Sequence, residues 1–450
     1  MAVPSIPPSS VATPNPVIGQ IDEFLQDLIA QLPPDPTEPK RGRPRILPSL
    51  ALWSGLVVCV LQGFSSQLAL WRLLTSGNFW FYPRFAISDQ AVYARLERAG
   101  TGPLEQLFTQ LSGLLAARLL PYAEQRLAPF ATAVVAIDQT TLDPIARTLP
   151  LLHSVPRGDH RLLPGKLAGV FDLRLQQWRR LQFVPDPEQN EKMTARDLIA
   201  DLARGTLILA DLGYFAFPWF DELTTSGYHW ISRLRSNSSL LPLHTFYQDG
   251  DTLDQLVWLG AHKADRAEHA VRLVQFRRGA MLYRYITNVT DPHLLPMSEV
   301  ARLYARRWDI EMAVNLVKTH LGVHLLWSAK PVVIQQQVWA VLIIAQILQA
   351  MRQEIAGRAG VDPFEVSLPL LVEYAPRYAA MGLDPVTVFV QQGRELRFIR
   401  PSRRTVIVTP TIDPTSLVMP PPDLVRTRKP RYANKTDHPR VPKTSTSSAA

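Results

Sequence analysis

Three acids stand where carboxylate chemistry is possible: Asp138 and Asp211, each closing a short apolar run, and Glu311 in a cation-rich helical stretch. ATAVVAID and TLILAD read as β-strands whose last residue is the acid. In an α/β layout the C-terminal strand edge is a usual place for chemistry, and an acid there is exposed yet held on rigid backbone. Two such acids plus a third could hold two Mg²⁺ ions for in-line attack at phosphorus. Taken alone, each Asp reads as a turn or helix-cap residue. The case therefore depends on what accompanies them.

The companion is YARRWDIEMAVNLVK, Tyr304 to Lys318. At about 100° per residue on a helix, Tyr304, Arg307, Glu311, Asn315 and Lys318 share one stripe about 80° wide. Leu303, Ile310, Val314, Val317 and Leu321 form the adjoining apolar stripe, which would face a core. Asp309 and Arg306 point elsewhere. Arg307 and Glu311 are also an i,i+4 pair, so a solvated salt-bridge face is the plain alternative. Against it, the polar stripe borders the apolar one and contains a tyrosine. Cations flanking a metal-binding Glu suit a phosphodiester: they hold phosphates while the carboxylate holds the metal.

The spacing Y-x2-R-x3-E-x6-K (Tyr304, Arg307, Glu311, Lys318) resembles the YREK signature of DDE transposases of bacterial insertion sequences, relatives of insertion sequence four. DLGYF, Asp211 to Phe215, is similar to that family's second-Asp motif, and AIDQTTL around Asp138 to its first-Asp strand, where Gly is more usual than Gln139. The resemblance covers about residues 40–350. It implies a ribonuclease-H-like core with Asp138, Asp211 and Glu311 as the metal-binding triad. Tyr304, Arg307 and Lys318 would contact transposon-end phosphates. Trp308 would either stack on an unpaired base near the cleavage site or pack. The implied reaction is Mg²⁺-dependent, with Mn²⁺ as a substitute: water attack frees a 3′-OH at the element's end, and that hydroxyl attacks target DNA. Implied partners are double-stranded DNA, as terminal inverted repeats and target, and a second copy of the chain as a homodimer on DNA. A catalytically silent, domesticated DNA-binding derivative and another ribonuclease-H-like nuclease are the alternatives.

The elements that must position these residues follow from periodicity and breakers. Residues 1–47 read as a disordered Pro/Ser-rich start and basic linker, with a short helix from Ile21 to Leu32. Residues 48–130 read as a helical N-terminal, DNA-binding domain. Residues 131–225 and 300–385 would form the catalytic domain, with LAGVFDLRLQ and QWRRLQFVP as a hairpin. Residues 226–299 read as a β-rich insertion, and 386–450 as a basic, Pro-rich tail in which the core signal fades. The expected fold class is thus α/β: a ribonuclease-H-like mixed sheet with flanking helices, interrupted by a β-rich insertion and preceded by a helical domain.

Composition agrees with a folded, polyanion-binding chain. Among 450 residues, 46% are hydrophobic and the formal net charge is +9. Residues 1–39 hold five acids and no Lys or Arg, whereas residues 400–450 hold ten Lys or Arg against three Asp. Arg41 and Arg43 lie in Arg-Gly-Arg-Pro, the core of an AT-hook, which suits a narrow A·T minor groove. RTRKPRYANK in the tail would add salt-dependent phosphate affinity. Cys59 is the sole cysteine, excluding an intrachain disulfide or cysteine zinc site. His153, His160, His320 and His324 form no convincing metal cluster. No secretory signal is read in the N-terminal residues, and a cytoplasmic, nucleoid-associated location is expected. Ile46 to Phe64 carries no charge, but Pro48, Gly55, Gln62 and Gly63 argue for a buried helix instead of a membrane span. Val338 to Met351 reads as a core helix too short to span.

Overall fold

The computed structural model describes residues 21–33, 46–76, 79–142, 165–186, 189–261, 265–323, 326–328, 330–402 and 407–432. The fold is mixed α/β, as expected, with nine strands and flanking helices among the described residues. The chain divides into two compact units. The first comprises Met1–Pro129, Ala133–Leu202 and Ala305–Val406; the second comprises Phe130–Thr132, Ala203–Tyr304 and Ile407–Ala450.

The first unit opens with five helices: α1 (Ile21–Ala30), α2 (Ser49–Leu61), α3 (Gln67–Ser76), α4 (Asp89–Ala99) and α5 (Gly102–Leu119). The uncharged stretch beginning at Ile46 supplies α2, whose residues from Ala51 to Leu61 are buried in the protein. An antiparallel meander follows: β1 (Val134–Thr141), β2 (Lys166–Asp172) and β3 (Gln177–Val184). Strand β1 is apolar and buried from Val134 to Ile137 and half-buried from Asp138 onward, so the acid sits where the strand leaves the core. Asp138 pairs in register with Gly169, and Gly169 with Leu181. A β-carbon at Gly169 would lie 2.6 Å from Trp178 Cζ3, so the glycine is what lets that indole lie across the sheet. Helix α6 (Glu191–Ile199) begins at Asn190, whose side chain accepts from the Lys192 N–H.

The stretch Tyr304–Lys318, read as helical, falls on two helices separated at Arg307, whose backbone keeps helical angles (φ −54°, ψ −30°). Helix α8 (Met297–Arg306) stops before Arg307, and α9 (Trp308–Asn315) continues into a π-helical turn, Leu316–His320. Beyond it, α10 (Pro331–Ala359) runs 29 residues, from a proline in its first turn to Gly360 in the left-handed region. It is longer than the apolar run in the sequence and passes a length-and-hydropathy test for a membrane span, but 78% of that window is buried inside the protein. Several of its polar residues reach across to other elements: Gln346 exchanges two hydrogen bonds with the Trp178 backbone on β3, at 2.9 Å each. Gln336 donates to the Leu96 and Gly100 carbonyls, and Gln353 to the Tyr122 carbonyl. Helices α11 (Leu368–Ala380) and α12 (Pro385–Gln392) pack beside α10. Phe389 and Phe398 are buried and stacked 4.3 Å apart, so the core continues well past residue 386.

The second unit begins with β4 (Leu207–Ala210) and β5 (His229–Arg233), which pair in parallel and are joined through α7 (Phe217–Thr225). Phe220 of α7 stacks on Trp230 of β5 at 4.2 Å. Strand β5 pairs with β9 (Met281–Thr287), and the antiparallel order β9-β8-β7-β6 adds β8 (Ala270–Arg278), β7 (Thr252–Leu259) and β6 (Leu240–Asp249). These are the short strands expected after residue 226. The C-terminal segment through Tyr432 is not a loose tail: it packs on this unit. Arg431 and Arg266 exchange backbone hydrogen bonds, the Ala270 N–H donates to the Arg426 carbonyl, and Tyr432 Oη donates to Asp221 Oδ2 at 2.9 Å.

Candidate active site

Within the first unit, α9 packs on β1, which places Asp138 and the helix acid on neighbouring elements; the strand does not end at Asp138 as expected but runs on to Thr141, because Gln139–Thr141 pair with β2. Asp138 is half-buried, and its Oδ1 accepts the Gln139 N–H at 2.8 Å. Arg307, in the turn between α8 and α9, is buried, and its Nη2 donates to Glu311 Oε1 at 2.7 Å. Glu311 itself is half-buried. The sequence pairing of these two at i,i+4 is therefore present, but with a buried guanidinium and not on a fully solvated face.

Trp308 opens α9 and is 58% exposed, so it is not part of the core. The Arg307 guanidinium carbon lies 5.6 Å from the indole centroid, a cation–π distance. Lys318 falls on the π-helical turn. Burial lowers its pKa from the ordinary lysine value, and the Asp138 charge opposes that shift, so the two side chains share a local field. A π-turn inserts an extra residue per turn and is frequent at functional sites. It also rotates Lys318 away from the angle a uniform helix would give it. Nearby, burial lowers the His320 pKa as well, and its Nε2 lies 3.5 Å from Asn315 Nδ2.

Asp211 and Tyr304 belong to the second unit. Asp211 follows the fully buried β4 with extended backbone and is half-buried. It starts the 3-10 turn Leu212–Tyr214, closed by the Tyr214 N–H donating to the Asp211 carbonyl. Arg235 donates to the Leu212 carbonyl at 3.1 Å and lies over the Phe215 ring, fixing that turn from the side. The Tyr304 ring is buried, 5.1 Å from Tyr285, in an aromatic row with Tyr283 and Phe276. Tyr304, on the polar stripe in the sequence, thus has its ring buried in a core. Arg41, Arg43, His153, His160 and His324 lie outside the described residues.

Asp309 is where helical geometry put it, away from Glu311, and it is buried instead of solvated. Its partner Arg306 is buried too. The i,i+3 spacing of these two in the sequence was the available signal, and it reads the same for a surface pair. Carboxylates are the hard oxygen donors that a divalent cation such as Mg²⁺ takes, so the donor chemistry here fits one. Among the described residues, no group of three His, Cys, Asp or Glu side chains is gathered as a metal site.

Residues 147–347 match the family described as Transposase DDE domain. That span includes Asp211, Tyr304, Arg307, Glu311 and Lys318 and begins nine residues after Asp138. The chain is 26% identical over 174 residues to the transposase InsG of insertion sequence element IS4 from Escherichia coli (strain K12). That alignment covers 36% of this chain and 38% of the relative's length. Among solved structures, a piggyBac transposase synaptic complex with hairpin DNA aligns at a TM-score of 0.38 and 11% identity, covering 89% of this chain and 85% of that one. The YREK spacing, the Asp-x-Gly-Tyr turn and these sequence matches fall on the same segment, so residues 147–347 are similar to the transposase DDE domain.

Proposed function

We propose that the protein is a DNA transposase that cuts the ends of its own insertion sequence and joins the freed 3′-OH ends to target DNA. The observation that carries this reading is the pairing of buried Arg307 with Glu311 on a helix packed against the Asp138 strand, beside an exposed Trp308. Asp138, Asp211 and Glu311 would hold divalent metal, Mg²⁺ with Mn²⁺ as substitute; Asp211 enters on its sequence motif. When bound, the metal supplies charge stabilisation at the attacking and leaving oxygens of an in-line displacement.

The chain's own residues do the positioning. Arg307 presents a planar donor fork suited to a phosphate oxygen pair. Lys318 adds a second cation near Asp138. Trp308 offers an exposed aromatic face to an unpaired base at the strand end. In the first step a water oxygen bonds to the terminal phosphorus and the 3′ oxygen leaves with a proton. In the second, that 3′-OH attacks a target phosphodiester, displacing another 3′ oxygen. The partners proposed are double-stranded DNA of the terminal repeats and target, and a second copy of the chain on that DNA. The place of action is the nucleoid, in the cytoplasm.

The test is cleavage of the element's terminal inverted repeats by purified protein in Mg²⁺ or Mn²⁺. Glu311→Gln is expected to lose cutting by several orders of magnitude while binding ends with nearly unchanged affinity. Cutting by that variant at the wild-type rate would sink the assignment.

A further inference from the structure

Sequence periodicity leaves Arg306 and Asp309 outside the polar stripe, and the structure buries both. Arg306 Nε donates to Asp309 Oδ2 at 2.8 Å, its Nη1 to Glu124 Oε2 at 2.5 Å, and its Nη2 reaches the Leu173 carbonyl at 3.4 Å. Gln176 Nε2 donates to Asp309 Oδ2 at 2.9 Å and to the Leu173 carbonyl at 3.0 Å. Arg352 Nη2, from the core helix α10, donates to Gln176 Oε1 at 3.1 Å. Gln176 sits in the β2–β3 turn with φ of 56°, a conformation that L side chains rarely adopt. Four other stretches of the first unit thus meet at the first turn of α9: the segment after α5, the meander turn, the end of α8 and α10.

Asp309 is 2% exposed. A buried ion pair is a weak source of stability, because removing two charges from water offsets most of their attraction. Apolar residues of similar size would serve the core as well. What a hydrogen-bonded charge cluster supplies is a preferred geometry: rotating or sliding the helix would leave the Arg306 or Asp309 groups it now pairs without partners. Glu311 lies two residues along the same helix, about 200° around from Asp309. Anchoring Asp309 on the buried side therefore fixes the direction of Glu311 on the other.

We infer that Arg306 and Asp309, with Glu124 and Gln176, are positioning residues that set the rotation and height of α9 and thereby place the Glu311 carboxylate. This inference rests on the active-site reading of Glu311. Partners outside the inner ligand set commonly change metal affinity or activity 10–100-fold when altered.

Two variants and one control separate placement from stability. Asp309→Asn is expected to bind terminal-repeat DNA without divalent metal at nearly wild-type Kd. It should speed hydrogen exchange of the 308–315 amides in metal-free protein, and slow cleavage about 10–100-fold. The double variant Arg306→Met with Asp309→Leu removes both charges together. It is expected to keep a wild-type or higher Tm and still cleave as slowly as the single variant. Wild-type cleavage by the double variant, or slow cleavage by Asp309→Asn with unchanged 308–315 exchange, would overturn the inference. The control is Glu311→Gln: if it cuts DNA normally, the reading of Glu311 fails and the positioning role falls with it.

Discussion

Trp308 is the residue whose role changes most between sequence and structure. Its position near the edge of the polar stripe allows either stacking or packing. At 58% exposed, beside Arg307, its ring has a face open to solvent. Trp308→Ala should therefore shift stability by no more than about 0.5 kcal/mol, as surface changes do. It should weaken binding to end DNA with an unpaired terminal base by about 1–3 kcal/mol. Thermal melts and titrations against fully paired and frayed ends check both halves. Cys59 makes a second, simpler case. It is fully buried on α2, and burial pushes its thiol pKa up to about 12. Only the thiolate reacts, so folded protein at pH 8 is expected to resist iodoacetamide and to label once unfolded in urea. Rapid labelling of the folded protein would contradict the burial of α2.

At the scale of elements, strands and helices were legible because their periods are local. The β2–β3 hairpin and β4 before Asp211 lie where apolar patterning places them, while β1 runs past Asp138 to Thr141 and α10 extends beyond the apolar run Val338–Met351 at both ends. The break at Arg307 and the π-turn at Leu316–His320 were not legible, since nothing in YARRWDIEMAVNLVK interrupts helical propensity. The glutamines of α10 illustrate the same limit. Gln346 reads as an interruption of an apolar run, yet it supplies both hydrogen bonds for the Trp178 backbone. Gln346→Leu should leave a buried N–H and C=O unpaired and cost about 2–4 kcal/mol, measurable by urea denaturation. Gly169→Ala places a methyl 2.6 Å from Trp178 Cζ3 and 2.9 Å from Leu181 Cδ2. A loss of about 1–3 kcal/mol is expected from that overpacking.

At the scale of the molecule, composition described the ends of the chain as charged and poor in core signal, and the structure treats them differently. Ile21, Leu25 and Leu28 of α1 are buried in the first unit despite the acidic, proline-rich surroundings. In the second unit, Arg428 is an anchor: it donates to the Leu259, Gly260 and Ala267 carbonyls and lies 4.6 Å from the Trp258 centroid. Arg426, Lys429 and Arg431 beside it stay exposed. The basic surplus thus has two uses, one holding the segment in place and one facing outward. Arg428→Ala should speed hydrogen exchange in residues 265–270 and raise protease sensitivity near 426–432, and an unchanged exchange pattern would show that the segment is held by other contacts.

By itself, the sequence determined the fold class, the order of strands and helices, and the spacing of Asp138, Asp211, Arg307, Glu311 and Lys318. These depend on residue type and local periodicity, which neighbours in the chain already carry. Tertiary structure decided which side chains those residues meet. Asp309 finds Gln176 at a separation of 133 residues, and Arg306 finds Glu124 across 182. No local pattern encodes such pairs: they exist only once the β2–β3 turn, α9 and α10 are packed into one core.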